Sequence, residues 1–125
     1  MTLQEALDIA DEMKPNIMSR KLKVKYITEI EQLIHSELVM THEHTQEQET
    51  KPFYTEDSDP GTVLIAEDPY SMVYVYWLMT KIDMQNQEDG RYNIDRMHFE
   101  NQYEELSDWW TRHNMPIQKT REFRL

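Results

Sequence analysis

The tripeptide His42-Glu43-His44 holds residue types that bind zinc, since imidazole nitrogen and carboxylate oxygen are both common ligands of that ion. A zincin helix, however, needs histidines four apart with the glutamate between them, and position 46 is glutamine. Histidines two apart on an acidic stretch are ordinarily solvated. No metal is therefore expected, and a hydrolase built on this loop is the weakest of the functional readings. The segment "DSDPG" (57–61) begins like a calcium loop but lacks the further acid, the glycine and the closing glutamate that complete one. No Gly-rich phosphate loop, nucleophile elbow or zinc-deaminase pattern occurs. With 24 acids in 125 residues, paired carboxylates arise by chance. Trp77, Trp109 and Trp110 have the rings to stack on bases or sugars, but they sit at helical spacing within apolar stripes. Aromatics so placed ordinarily form core or interface. The chain has no cysteine, which excludes disulfides, thiolate metal sites and Cys nucleophiles. The expectation is a protein with no enzyme activity and no cofactor.

Charge layout says more. The formal net charge is −11 and the mean hydropathy −0.84. Between Tyr26 and Asp68 there are eleven acids and one base, Lys51, whereas Arg112, Lys119, Arg121 and Arg124 near the C-terminus face a single acid, Glu122. A subunit polarised in this way can associate head to tail. Independent nucleic-acid binding is disfavoured, because phosphate contacts need a basic footprint.

These residues must be held by helices. Two glycines and an excess of Glu, Gln, Met and Leu favour helix over strand. Thr2 to Glu5 has the form of a capping box, and Leu3, Ala6, Leu7, Ala10 and Met13 follow as one stripe ending before Pro15. Ser19 can cap a second helix running to about Met40, with Leu22, Tyr26, Ile30 and Leu33 on one row and Ile27, Ile34 and Leu38 on the next. Its first turns carry Arg20, Lys21, Lys23 and Lys25, the wrong sign for the helix macrodipole. They read as a solvated basic face or, more sharply, as a contact for an acidic partner. Residues 41–67 are polar and acidic and read as a long loop, which is uncommon inside a compact domain. "TVLIA" (62–66) is fit for a short extended segment that either lies across the helices or pairs with another subunit.

"YSMVYVYWLM" (70–79) is about half the ~20 apolar residues that a membrane span needs. With Asp68 as N-cap and Pro69 in the first turn, it reads instead as the central helix, apolar almost all round and buried on more than one side. Gly90 stands where a helix-terminating residue belongs. Asp89 or Asn93 then opens a fourth, antiparallel helix with Phe99, Tyr103, Leu106 and Trp110 on its inner face. The fold expected is all-α, about four helices in a small bundle with a long acidic loop and one short extended segment. Residues 1–116 form a single domain, 117–125 are a basic tail, and the core centres on Tyr74, Trp77, Leu78, Tyr103, Leu106 and Trp110. The acidic N-terminus lacks the pattern of a signal peptide, so a cytoplasmic product is expected.

The helix order and lengths, the Pro-opened aromatic helix "DPYSMVYVYWLMTKIDMQNQE" and the partner helix "RYNIDRMHFENQYEELSDWW" are similar to those of the small helical head–tail connectors, or head-completion adaptors, of tailed phages and prophages. The resemblance implies a non-enzymatic structural protein that forms a homo-oligomeric ring below the portal and continues the DNA channel toward the tail. It implies portal and tail-completion proteins as partners, DNA passing without specific binding, no membrane, and a place in the host cytoplasm during assembly and then at the head–tail junction of the virion. Candidate subunit contacts are Met72, Tyr76 and Met79, Val63 and Ile65, and Ile117, Arg121, Phe123 and Arg124 in the tail, since interfaces favour aromatic residues, Met and Arg. Glu43, Glu47, Glu49 and Asp57 are expected to face solvent or the channel. The alternative is a small acidic regulator, antitoxin- or anti-repressor-like, that masks a basic partner.

Overall fold

The fold is described from a computed structural model over residues 1–117. Four α-helices, α1 (Leu3–Met13), α2 (Arg20–Ile34), α3 (Met72–Asn86) and α4 (Asp89–His113), form an all-α bundle. Helix α3 packs against each of the other three. Its Val73, Tyr74, Val75, Leu78 and Ile82 are fully buried, which accounts for the apolar run being apolar all round. It is the central helix.

The helix ends follow local chemistry. The Thr2 hydroxyl accepts from Glu5 N–H at 3.2 Å and opens α1, while Lys14, held extended ahead of Pro15, closes it. The Ser19 hydroxyl accepts from Leu22 N–H at 3.2 Å and opens α2. Helix α2 does not continue to Met40 in α geometry, as the spacing suggested. It passes at His35–Val39 into a wider π turn, closed by Met40 N–H donating to His35 C=O at 2.9 Å. The additional residue per turn brings Ile34, His35, Leu38 and Val39 all inward.

Two expected helix ends move. Helix α3 starts at Met72 with Ser71 as its N-cap, not at Asp68-Pro69. A turn closed by Tyr70 N–H to Glu67 C=O comes first, and the Asp68 carboxylate accepts from the Ser71 hydroxyl rather than from a helical N–H. At the other end the left-handed residue is Gln87, with φ 57°, and Gly90 lies inside the first turn of α4. The reversal is tighter than a Gly90 terminus would give. A Cβ at Gly90 would meet nothing within 4 Å, so the turn does not require glycine there.

The extended segment lies across the helices and pairs with the chain's own N-terminus: Leu3 N–H donates to Thr62 C=O at 2.8 Å and Leu64 N–H to Met1 C=O at 3.0 Å. Leu64 and Ala66 point into the core. Of the expected core residues, Tyr74, Leu78, Leu106 and Trp110 are buried, whereas Trp77 and Tyr103 are half-buried at its edge. The Trp77 ring lies tilted 4.9 Å from that of Phe99 and under the Lys81 ammonium at 4.3 Å, and the Tyr103 hydroxyl reaches outward to Glu37 at 2.5 Å.

Candidate functional site

The long loop is tied down along most of its course by α2 and the π turn that follows it. Gln32 donates to Pro52 C=O at 2.9 Å, the Thr28 hydroxyl to Tyr54 C=O at 3.2 Å, and His35 Nε2 bonds Gln48 C=O at 2.7 Å. The centre of this arrangement is Glu31, which is fully buried. Its Oε2 accepts from the Tyr54 hydroxyl at 2.9 Å and from Ile65 N–H at 3.0 Å, and its Oε1 accepts from the Tyr74 hydroxyl at 2.6 Å. Burial pushes the Glu31 carboxyl up, against the three hydrogen bonds that favour its charge. The same burial and the facing carboxylate push both tyrosine hydroxyls up, so they remain donors. Glu31 thus fixes loop, extended segment and central helix to α2. Sequence reasoning missed it, although an acid four residues after Ile27 and three before Ile34 interrupts an otherwise apolar stripe.

A loop held in this way carries its acids on an anchored backbone. Glu43, Glu47, Glu49 and Asp57 are all exposed. Between residues 53–57 and the first turns of α2 opens a groove of about 670 Å³. Leu22, Phe53 and Tyr54 give it an apolar floor, and Phe53 remains 71% exposed. Lys21 and Lys25 stand on the α2 wall, and Glu56 and Asp57 on the loop wall. Among the described residues none of these four charges makes an ion pair, unlike their neighbour Lys23, which is bound to Asp11 at 2.7 Å.

A second buried polar cluster lies at the far end of the bundle, where α1, α3 and α4 meet. The Lys14 ammonium bonds Asp83 and stands 3.2 Å from Asp95 and 3.7 Å from Glu88. Lys14, Asp83 and Asp95 are all buried. Asp83 Oδ2 lacks a hydrogen-bond partner, and Asp95 Oδ2 has only the Lys14 ammonium at 3.2 Å. Burial and the neighbouring Asp95 push the Asp83 carboxyl up to about 6, against the pull of Lys14. Burial disfavours the Lys14 charge, but its bonds to Asp83 and Asp95 outweigh this and raise it.

The His-Glu-His stretch is spent on structure. His42 is buried, with Nδ1 2.7 Å from Leu38 C=O and Nε2 3.0 Å from the Thr111 hydroxyl, which ties the end of the π turn to α4. His44 Nδ1 bonds His42 C=O at 2.7 Å. Among the described residues no group of three or more His, Asp or Glu side chains is arranged to hold a metal ion. Asp59 closes its own turn, accepting from Gly61 N–H at 2.8 Å.

The candidate contact residues separate into different environments. Met79 is buried in the core and so is not available to a neighbour. Met72, Tyr76 and Ile65 are half-buried, with Tyr76 stacked on His98 at 5.4 Å. Val63 is 71% exposed and Ile117 50%. Ile117 N–H donates to Thr41 C=O at 2.9 Å, which anchors the start of the tail beside the end of the π turn. Arg121, Phe123 and Arg124 lie outside the described residues. Among those described, no helix is long and apolar enough to cross a membrane. Compared with family models, curated proteins and solved structures, the chain matches none of them.

Proposed function

We propose that the chain is a structural assembly subunit, a head–tail connector of a tailed phage or prophage that rings the channel below the portal. It is not an enzyme in this reading, and its partners are further copies, the portal and the tail-completion proteins. The observation that carries the reading is the set of exposed acids on a fastened loop. Glu43, Glu47, Glu49 and Asp57 project from a loop fastened to α2, not from a free tail. Exposed acids on an anchored loop repel phosphate, which suits a conduit past which DNA slides without sticking. The subunit would act in the host cytoplasm during assembly and remain at the head–tail junction of the virion. Mixing the protein with its cognate portal at moderate salt and imaging the product is the test. A ring stacked on the portal supports the reading, and a portal that stays bare at saturating protein overturns it.

The same exposed acids favour a second reading, an acidic regulator that masks a basic partner. That protein would form a stoichiometric pair with a single basic chain and no ring. Its complex would weaken steeply with salt, since exposed charges carry the contact.

A further inference from the structure

The groove between α2 and residues 53–57 has an apolar floor and two walls of opposite charge, Lys21 and Lys25 on one side and Glu56 and Asp57 on the other. Among the described residues none of the four is held in an ion pair. Both walls stand on anchored backbone. The Thr28 hydroxyl accepts from Tyr54 N–H and donates to Tyr54 C=O, both at 3.2 Å, which ties the loop wall to the helix wall. Ser58 closes the turn that carries Glu56 and Asp57. Its N–H donates to Thr55 C=O at 3.0 Å, and its hydroxyl accepts from Thr55 N–H at 2.8 Å. Phe53 lines the groove yet keeps 71% of its surface exposed, a cost that burial removes.

The charges narrow the choice of occupant. A phosphate chain or an acidic peptide meets Glu56 and Asp57, and a basic peptide meets Lys21 and Lys25. Like charges brought together in this way oppose binding. The occupant must instead carry both signs, one on either side of an apolar centre. The same face of a second copy does. We infer that two copies of the chain pair through this groove about a two-fold axis that runs along it.

Rotation about that axis exchanges the walls. Lys21 and Lys25 of each copy then face Glu56 and Asp57 of the other, twice over, and the two Phe53 rings meet across the apolar floors. Lys21 lies in the first turn of α2, where the helix dipole disfavours a cation, and a facing carboxylate offsets this. Such an isologous contact closes at two copies. Nine residues line the groove, against roughly 20–30 on each side of a standard interface, so the pair is weak and reversible. The inference goes beyond the proposed function and does not depend on it. A ring repeats one contact from copy to copy, whereas this contact joins free chains two by two.

The test follows full-length chains by sedimentation velocity, with no portal or other protein present. The wild type should pass reversibly from monomer to dimer between micromolar and millimolar concentration and form nothing larger. Lys21→Glu with Lys25→Glu makes both walls acidic, and Glu56→Lys with Asp57→Lys makes both basic. Each variant alone sets like charge against like across the axis, so its self-association should weaken at least tenfold. Mixed in equal amounts, the two should form a heterodimer, because both pairs of walls then carry opposite charge. Each double reversal moves the net charge of −11 by four, so both variants stay negative and overall attraction cannot account for their pairing. Adding Phe53→Asp to both should abolish the heterodimer. All five positions are exposed, so the fold should survive these changes, and circular dichroism checks that it does. A wild type that stays monomeric at millimolar concentration, or two reversed variants that fail to pair, overturns the inference. A dimer that survives either reversal, or a heterodimer indifferent to Phe53→Asp, overturns the groove as its seat. Growth past the dimer that either reversal stops would mean a head-to-tail contact and overturns the two-fold axis. Because the portal is absent, a failure here is separate from a failure of the protein to ring the portal.

Discussion

Glu31 and Asp83 are both carboxylates with no exposed surface, and the protein treats them differently. Glu31 accepts three hydrogen bonds from three separate parts of the chain and leaves no oxygen idle. Asp83 shares one ammonium with Asp95, and its other oxygen, Oδ2, has no hydrogen bond. A buried charge is tolerated when its lone pairs are satisfied and is costly when they are not. The Glu31 end is therefore a fastening, and the Lys14 end is where a proton does what a hydrogen-bond donor does elsewhere. When Asp83 is protonated it can donate to Asp95, and the excess buried charge disappears.

Removing the centre of the satisfied network should cost most. Glu31→Ala strands two tyrosine hydroxyls and one backbone N–H, and each stranded donor costs about 1–3 kcal/mol. A loss of roughly 4 kcal/mol is expected in urea unfolding, with the loop the first part to become protease-sensitive. A loss below about 1 kcal/mol would show that water replaces the carboxylate and that Glu31 is not a fastening. At the other end, Lys14→Met removes the one cation and leaves two buried carboxylates facing each other. About 3 kcal/mol should be lost at pH 7, as when a buried pair is broken. The loss should shrink toward pH 5, where a proton takes over from the lysine. An equal loss at both pH values would contradict a shared proton.

The pH dependence has a definite sign. The Asp83 carboxyl is raised from 3.8 to about 6 in the folded protein. The native state therefore holds a proton that the unfolded chain releases. Its contribution is complete below pH 3.8 and is lost as pH rises through about 6, and about 3 kcal/mol is at stake. Asp83→Asn supplies a permanent donor and should abolish that slope. The difference in melting temperature between wild type and Asp83→Asn, followed from pH 4 to 7.5, isolates the effect from the other carboxylates. A difference that does not change with pH would place the proton elsewhere.

The sequence made the apolar half of this comparison legible and left the polar half hidden. Stripes in α1, in α2 and on the inner face of α4 announced four helices and most of the core, because burial repeats with the helical period. The contacts of Lys14, Asp83 and Asp95 join residues as far as 69 and more positions apart, and no local period marks such a meeting. The groove was equally hidden, since Phe53 lies in a polar loop whose course is set by hydrogen bonds from α2. Helix ends were legible where a hydroxyl caps an N–H, at Thr2 and Ser19. They were misplaced at Asp68 and Gly90, where side-chain bonding and a left-handed Gln87 outweigh the usual residue preferences. Trp77 was misjudged for a related reason. Its helical spacing matches the core, but it sits on the margin, where its ring lies between Phe99 and Lys81.

The smallest expected effect is the most local. Tyr54→Phe removes one donor to Glu31 Oε2, which still accepts from Ile65 N–H at 3.0 Å. The oxygen is not stranded, so the cost should be about 1 kcal/mol, the ordinary net worth of a hydrogen bond. The Tyr54 backbone stays bonded on both sides to the Thr28 hydroxyl, at 3.2 Å each. The ring therefore keeps its place on the groove floor. If Glu31 fastens three parts independently, amide exchange should quicken around residues 52–57 and stay unchanged at Ile65 and Ala66. If the three bonds act as one cooperative unit, protection at Ile65 and Ala66 should fall together with that of the loop, and the cost should exceed 2 kcal/mol, more than a single bond explains. Hydrogen exchange at those amides in wild type and Tyr54→Phe distinguishes the two. The independent case is expected, because Ala66 N–H has its own acceptor in the Tyr74 hydroxyl at 2.7 Å.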